Sequence, residues 1–120
     1  MSIRALGLAG ERIAARYLRR HGYRIVERRW SCRFGEIDLV AEFGDEVVFV
    51  EVKTRSGTGY GGGLAAVGFR KSARLRAAVY SYLQSRGWTG RPFRLDVVTV
   101  EPVGFGRARV SHYPSAIGEE

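Results

Sequence analysis

Asp38, Glu51 and Lys53 set two acids and an ammonium within reach of one another if the segment Gly35–Lys53, GEIDLVAEFGDEVVFVEVK, folds as a hairpin. Two strand-like runs flank Gly44-Asp45, and a two-residue loop there pairs Phe43 with Glu46. That register places Asp38 opposite Glu51 and Glu36 opposite Lys53. Strand side chains alternate with period two, so all four project from one face. Directly opposed Cβ atoms are roughly 4.5–5.5 Å apart, a separation at which like charges are destabilising. Two opposed carboxylates therefore call for a cation, and a divalent metal held by oxygens supplies one.

The chemistry such a set suits is metal-assisted hydrolysis of a phosphodiester. Asp38 and Glu51 would hold Mg2+ or Mn2+, with the Val52 carbonyl as a further oxygen ligand. Lys53 would orient the attacking water or stabilise charge on the phosphate in the transition state. The plainer alternative is a cross-strand salt bridge between Glu36 and Lys53. It accounts for those two residues and leaves Asp38 facing Glu51 unexplained. By itself D-x12-E-x-K is a short, permissive pattern.

The elements that must position these residues are legible from periodicity. Ala5–His21 is a helix with Leu6, Ile13, Ala14, Tyr17 and Leu18 on one broad face. Arg12, Arg16, Arg19 and Arg20 form a basic stripe on another. Glu11, the one acid of this stretch, falls at the edge of the apolar face, where it either adds a metal ligand or answers the helix dipole. His21 is expected as a favourable charge at the helix end. Tyr23–Trp30 reads as a first strand, Ser31–Gly35 as a turn, and Glu36–Phe43 and Glu46–Thr54 as the hairpin. The last of these is apolar on both faces until its end, which predicts a central strand covered on both sides. Residues 56–63 contain five glycines and no phosphate-binding GxxxxGK[ST] pattern; they read as a linker or a lid. Arg70–Arg86 is a second helix with Leu75, Ala78, Val79, Tyr82 and Leu83 as its stripe, and Lys71 projects with that stripe. Arg94–Val100 and Ala108–Tyr113 complete the strands. Helix, three strands, helix, two strands predicts a mixed α/β arrangement in one domain spanning 1–120, with the tail 114–120 frayed.

Composition narrows the partners. The chain has 120 residues, a formal charge of +8 and a pI near 10.4, a balance that favours a polyanion and nucleic acid first. Eighteen of the twenty basic residues are arginine. Where lysine is kept, at 53 and 71, a compact ammonium able to shift its pKa is the reading. Cys32 is the single cysteine, which fits a reducing compartment and an inert thiol. No apolar run approaches a membrane span and no h-region opens the chain, so the expectation is a cytoplasmic protein. His21 and His112 lack zinc-type spacing. Trp30 and Trp88 are expected to be buried, and Asp96 is expected in a structural hydrogen-bonding role.

The blocks GEIDLVAEFGDEVVFVEVKTRS and GLAGERIAARYLRRHGYRIVERRW resemble the YraN-like family of small bacterial proteins, which is similar to restriction-endonuclease-like nucleases with the PD-(D/E)xK motif and, among them, to archaeal Holliday-junction resolvases. The likeness runs from Gly7 to about Val100. It implies a restriction-endonuclease-like core, a mixed five-stranded sheet flanked by helices, with Asp38, Glu51 and Lys53 as catalytic centre. It implies Glu11 as the helix-borne acid and Lys71 as a further site residue. Ile37 stands where the motif's proline would precede the aspartate. Phosphate contacts would come from Arg12, Arg16, Arg19, Arg55, Arg70 and Arg74, binding backbone without reading sequence. The expected activity is a Mg2+- or Mn2+-dependent endonuclease on branched or structured DNA, with a homodimer if two strands are cut. The alternative is a nucleic-acid-binding accessory protein, on DNA or RNA, that keeps the fold without turnover.

Overall fold

The first helix begins where its sequence supplies a cap: the Ser2 hydroxyl accepts the Ala5 N–H at 3.0 Å, satisfying one orphan donor of the first turn. The structure, a computed structural model, describes residues 2–55 and 69–117. Its elements are α1 (Ile3–Arg20), β1 (Arg24–Cys32), β2 (Gly35–Phe43), β3 (Glu46–Thr54), α2 (Phe69–Arg86), β4 (Phe93–Gly104) and β5 (Arg107–Tyr113). Order and type match the sequence reading, with boundaries shifted by a few residues at most. His21 caps α1 and its Nδ1 donates to the Tyr17 carbonyl at 2.8 Å. The glycine-rich stretch 56–63 lies outside the described residues.

The five strands form one mixed sheet in the order β1-β2-β3-β4-β5. β2 and β3 are antiparallel neighbours, β3 and β4 are parallel, and β4 and β5 antiparallel. The β2–β3 register runs from Phe43↔Glu46 to Leu39↔Val50, as the two-residue loop requires. Gly44 takes φ 62° at the first loop position, where a tight hairpin needs a left-handed residue.

The apolar alternation of β3 divides the core. Val47 and Phe49 pack toward α2, with Val40, Leu95, Leu75, Val79 and Tyr82. Val48 and Val50 pack toward α1, with Leu39, Val98, Ala14, Ala15 and Leu18. The central strand is thus covered on both faces, as its two-sided apolar sequence predicts. Trp30 and Trp88 are half-buried against the α2 side. Close seating of α1 depends on Gly10: a Cβ there would lie 1.8 Å from Thr54 Oγ1 and 2.9 Å from Thr54 Cβ.

The chain after Pro114 departs from the expected frayed tail. The Ser115 N–H bonds the Asp96 carboxylate at 2.9 Å, the Ile117 N–H reaches the Leu95 carbonyl at 3.3 Å, and the Ile117 side chain is buried. These anchors hold it down through residue 117; residues 118–120 lie outside those described.

Candidate functional site

Beyond Leu39↔Val50 the β2–β3 ladder stops. Continued, it would give the Val52 N–H to the Ile37 carbonyl. Instead the Asp38 side chain takes that donor, with Oδ2 2.8 Å from the Val52 nitrogen. The two strands part here, and the Asp38 carboxylate stands in the gap. A residue's N–H and C=O point the same way in a strand, so the Val52 carbonyl points into that gap too.

The side-chain alternation of β2 is interrupted at the same place. Ile37 and Val40, three residues apart, share the α2-side cluster; strict alternation would put them on opposite faces. On β1 the neighbouring Arg29 takes φ 48°, an uncommon conformation for a bulky residue. Its Nε lies 3.7 Å from Glu11 Oε1.

These departures rearrange the acids. Glu11 of α1, Glu36 and Asp38 bring one carboxylate oxygen each within 4.8 Å of one another. Glu36 also accepts from the Ser31 hydroxyl at 3.4 Å. Glu51 keeps the alternation of β3 and turns toward α2. It is 4% exposed and lines a cleft of about 400 Å³ with Phe34, Glu36, Arg74, Leu75 and Ala78. Lys53 Nζ stands 3.6 Å from Glu51 Oε2. A buried carboxylate without a counter-charge would cost several kcal/mol, and Lys53 stands where such a counter-charge is needed.

The expected cross-strand stack of Asp38 on Glu51 is therefore corrected in form: the strands have separated before reaching it. All the acids still collect at one end of the sheet, and Glu36 belongs to both groups. Their proximity is felt electrostatically. Burial raises the Glu11 pKa, Arg29 opposes that, and the charges of Glu36 and Glu51 push it up further. Three hard oxygen donors from two elements, with one acid's ionisation disfavoured, fit a divalent cation of the Mg2+ or Mn2+ type. Glu11, Glu36 and Asp38 would hold it, with Glu51 and the Val52 carbonyl across the gap.

Other expected residues distribute as follows. Arg12, Arg16 and Arg19 are exposed on α1, and Arg74 is exposed at the cleft. Arg55 is half-buried, its N–H bonding the Val100 carbonyl at 2.9 Å. The Arg70 and Lys71 side chains lie outside the described residues. Asp96 is fully buried but belongs to a different network: Arg94 Nε donates to both its oxygens at 3.0 and 3.2 Å, and His112 Nε2 lies 2.7 Å from Oδ2. Its structural role stands. Sequence reasoning missed Arg29 as the partner of Glu11, since nothing in its type announces a positive φ. It also missed the Gly10–Thr54 contact, for which a glycine inside an otherwise strong helix was the available signal.

A model of the uncharacterised protein family UPF0102 matches residues 10–100. A UPF0102 protein of Myxococcus xanthus (strain DK1622) is 46% identical over 94% of this chain and 89% of its own length. One from Rhodococcus jostii (strain RHA1) is 45% identical over 93% of this chain and 95% of its own. Another, from Pelotomaculum thermopropionicum, is 45% identical over 92% and 93% respectively.

Proposed function

From a chain that belongs to the UPF0102 family, we propose a metal-dependent endonuclease of restriction-endonuclease-like type acting on branched or otherwise structured DNA. The observation that carries this reading is the convergence of Glu11, Glu36 and Asp38 within 4.8 Å at the point where β2 leaves β3, with the Glu51–Lys53 pair beside it. A five-stranded mixed sheet with two helices is compatible with that fold. The charge of +8 and the exposed arginines of α1 suit a phosphate backbone.

Mg2+ or Mn2+, when bound, supplies charge neutralisation at the phosphate and acidifies water. The chain's residues do the rest. Asp38 is fixed by the Val52 N–H, so its carboxylate has a set direction. The Arg29 guanidinium, with Nε 3.7 Å from Glu11 Oε1, holds Glu11 by charge. Lys53 carries an ammonium toward the cleft, where it orients the nucleophilic water and meets charge growing on the scissile phosphate. Arg74 at the cleft and the α1 arginines hold the backbone on either side.

Cleavage of branched, flapped and linear DNA in Mn2+ tests the reading. Asp38→Ala, Glu51→Ala and Lys53→Ala are each expected to lose at least about 10²-fold in cleavage, with DNA affinity largely kept. Residual cleavage equal to wild type in all three variants would sink the enzyme. Equal DNA binding in EDTA and Mg2+ with no cleavage in either would leave a binding protein, and tighter binding to structured RNA at matched salt would move the substrate.

A further inference from the structure

The most exposed large apolar side chain among the described residues is Phe105, at 104% relative exposure, on the turn between β4 and β5. It sits in a two-residue hairpin loop between the paired Gly104 and Arg107, a turn that calls for left-handed φ at both loop positions and favours Asn, Asp or Gly there. Gly104, Phe105 and Gly106 take φ 104°, 55° and 70° in succession, and the β4–β5 register shifts between Pro102 and Gly104. Glycine adopts such angles freely, whereas a bulky L-residue there is strained. No packing offsets that strain, because the ring touches solvent on all sides. Backbone strain that presents a side chain outward points toward use.

The position of the turn gives the use a direction. Thr54 pairs with Val100 and Lys53 with Thr99, so β4 runs past the acidic site and carries the turn beyond it. At strand rise, Gly104 lies roughly 13 Å past Val100. An apolar groove of about 250 Å³, lined among others by Gly10, Ile13, Thr54 and Pro102, reaches from α1 to the turn, where Gly104, Gly106 and Arg107 line it; Glu11 faces a separate hollow with Arg12, Arg28 and Arg29. Gly10 adjoins Glu11 and Thr54 adjoins Lys53 in sequence. The exposed Arg107 adjoins the ring, while the exposed Arg109 two residues on is paired with Glu101 at 3.1 Å. A second copy of this chain, also at +8, would meet that cationic rim with like charge, whereas a polyanion complements it.

We propose that Phe105 is a stacking wedge for nucleic acid: its ring enters at a branch or an unpaired step, stacks on a nucleobase, and so fixes the position of the backbone that reaches the acids, roughly 23 Å back along β4 at the level where Val97 pairs with Glu51. Arg107 contacts the phosphates around the insertion. Aromatic rings stack on bases without regard to sequence, and apolar wedges unstack duplex steps. This assigns the recognised feature, a discontinuity in stacking, and it rests on the nuclease reading for its purpose though not for its test.

The test is binding in EDTA, where cleavage plays no part, to DNA carrying 2-aminopurine at a branch point. Wild type is expected to brighten the probe and to prefer branched over linear duplex. Phe105→Ala should leave the probe dark and lose the preference by about tenfold, with linear-duplex affinity and the thermal melt unchanged. Phe105→Trp should restore both. An unchanged probe response and preference in Phe105→Ala would overturn the proposal. So would a change from dimer to monomer in sedimentation that accounts for the loss, since the ring would then be a subunit contact. A bright probe with no cleavage in Mn2+ would spare the wedge and sink the nuclease.

Discussion

Glu11 carries a charge that its surroundings disfavour. Burial and the neighbouring Glu36 and Glu51 raise its pKa, and Arg29 only partly offsets them. An acid whose pKa is higher folded than unfolded penalises the fold at neutral pH, and the penalty is relieved as pH falls through the folded value. A bound cation relieves it in the same manner. Glu11→Gln is therefore expected to raise the melting temperature of the metal-free protein at pH 7 and to remove most of the stabilisation that Mn2+ confers. Thermal shift with and without Mn2+ at pH 7 and at about pH 5 reads both effects; for wild type the Mn2+ shift should shrink at the lower pH. A lower metal-free melting temperature in Glu11→Gln would contradict this account of the site.

At the scale of elements, the seating of α1 on β3 decides where Glu11 stands. Gly7 and Gly10 lie in one helix, where glycine is normally the weaker choice by up to about 1 kcal/mol relative to alanine. A Cβ on Gly7 meets nothing within 4 Å, whereas one on Gly10 collides with Thr54. Gly7→Ala should thus stabilise the chain by a few tenths to about 1 kcal/mol, and Gly10→Ala should destabilise it by about 1–3 kcal/mol and lower any cleavage as α1 lifts. Urea denaturation of the two variants distinguishes them by sign. The elements themselves were legible in the sequence because each has a clean period: β3 is apolar on both faces, α2 carries its stripe on Leu75, Ala78, Val79, Tyr82 and Leu83, and the two-residue loop sets the hairpin register. The site was legible in its membership but not in its shape. Alternation alone cannot foresee that Asp38 will capture the Val52 N–H, that Ile37 will rejoin the side of Val40, or that Arg29 will turn to Glu11. Those are outcomes of competition between a ladder hydrogen bond and a carboxylate, settled in three dimensions.

Across the whole molecule, a second polar centre works for stability. Asp96 is completely buried, and burial alone would raise its pKa. Its bonds to His112, Arg94 and the Ser115 N–H outweigh that and hold it below the ordinary carboxylate range. Arg94 extends the network to Glu46 and Tyr23, tying the α1–β1 connection, β3, β4, β5 and the C-terminal turn together. A depressed carboxylate pKa contributes stability above the unfolded value and loses it as pH falls through the folded one. Asp96→Asn is expected to cost about 3–5 kcal/mol at pH 7, with the gap from wild type narrowing near pH 3 in denaturant melts at the two pH values. A gap that stays constant over that range would remove Asp96 from the acid response. Among the described residues no helix is long and apolar enough to cross a membrane.

The parallel pairing of β3 with β4 has a consequence for the chain as it is made. β2 can zip onto β3 as soon as both have left the ribosome, but the other edge of β3 has to wait until residues 93–104 follow. At translation speeds of roughly 5–20 residues per second, the valine-rich middle strand spends a few seconds with a bare rim open to any neighbouring nascent chain. The late-arriving strand is thus the closing bolt of biosynthesis, and an interruption of synthesis before it emerges would leave the stickiest part of the protein unguarded.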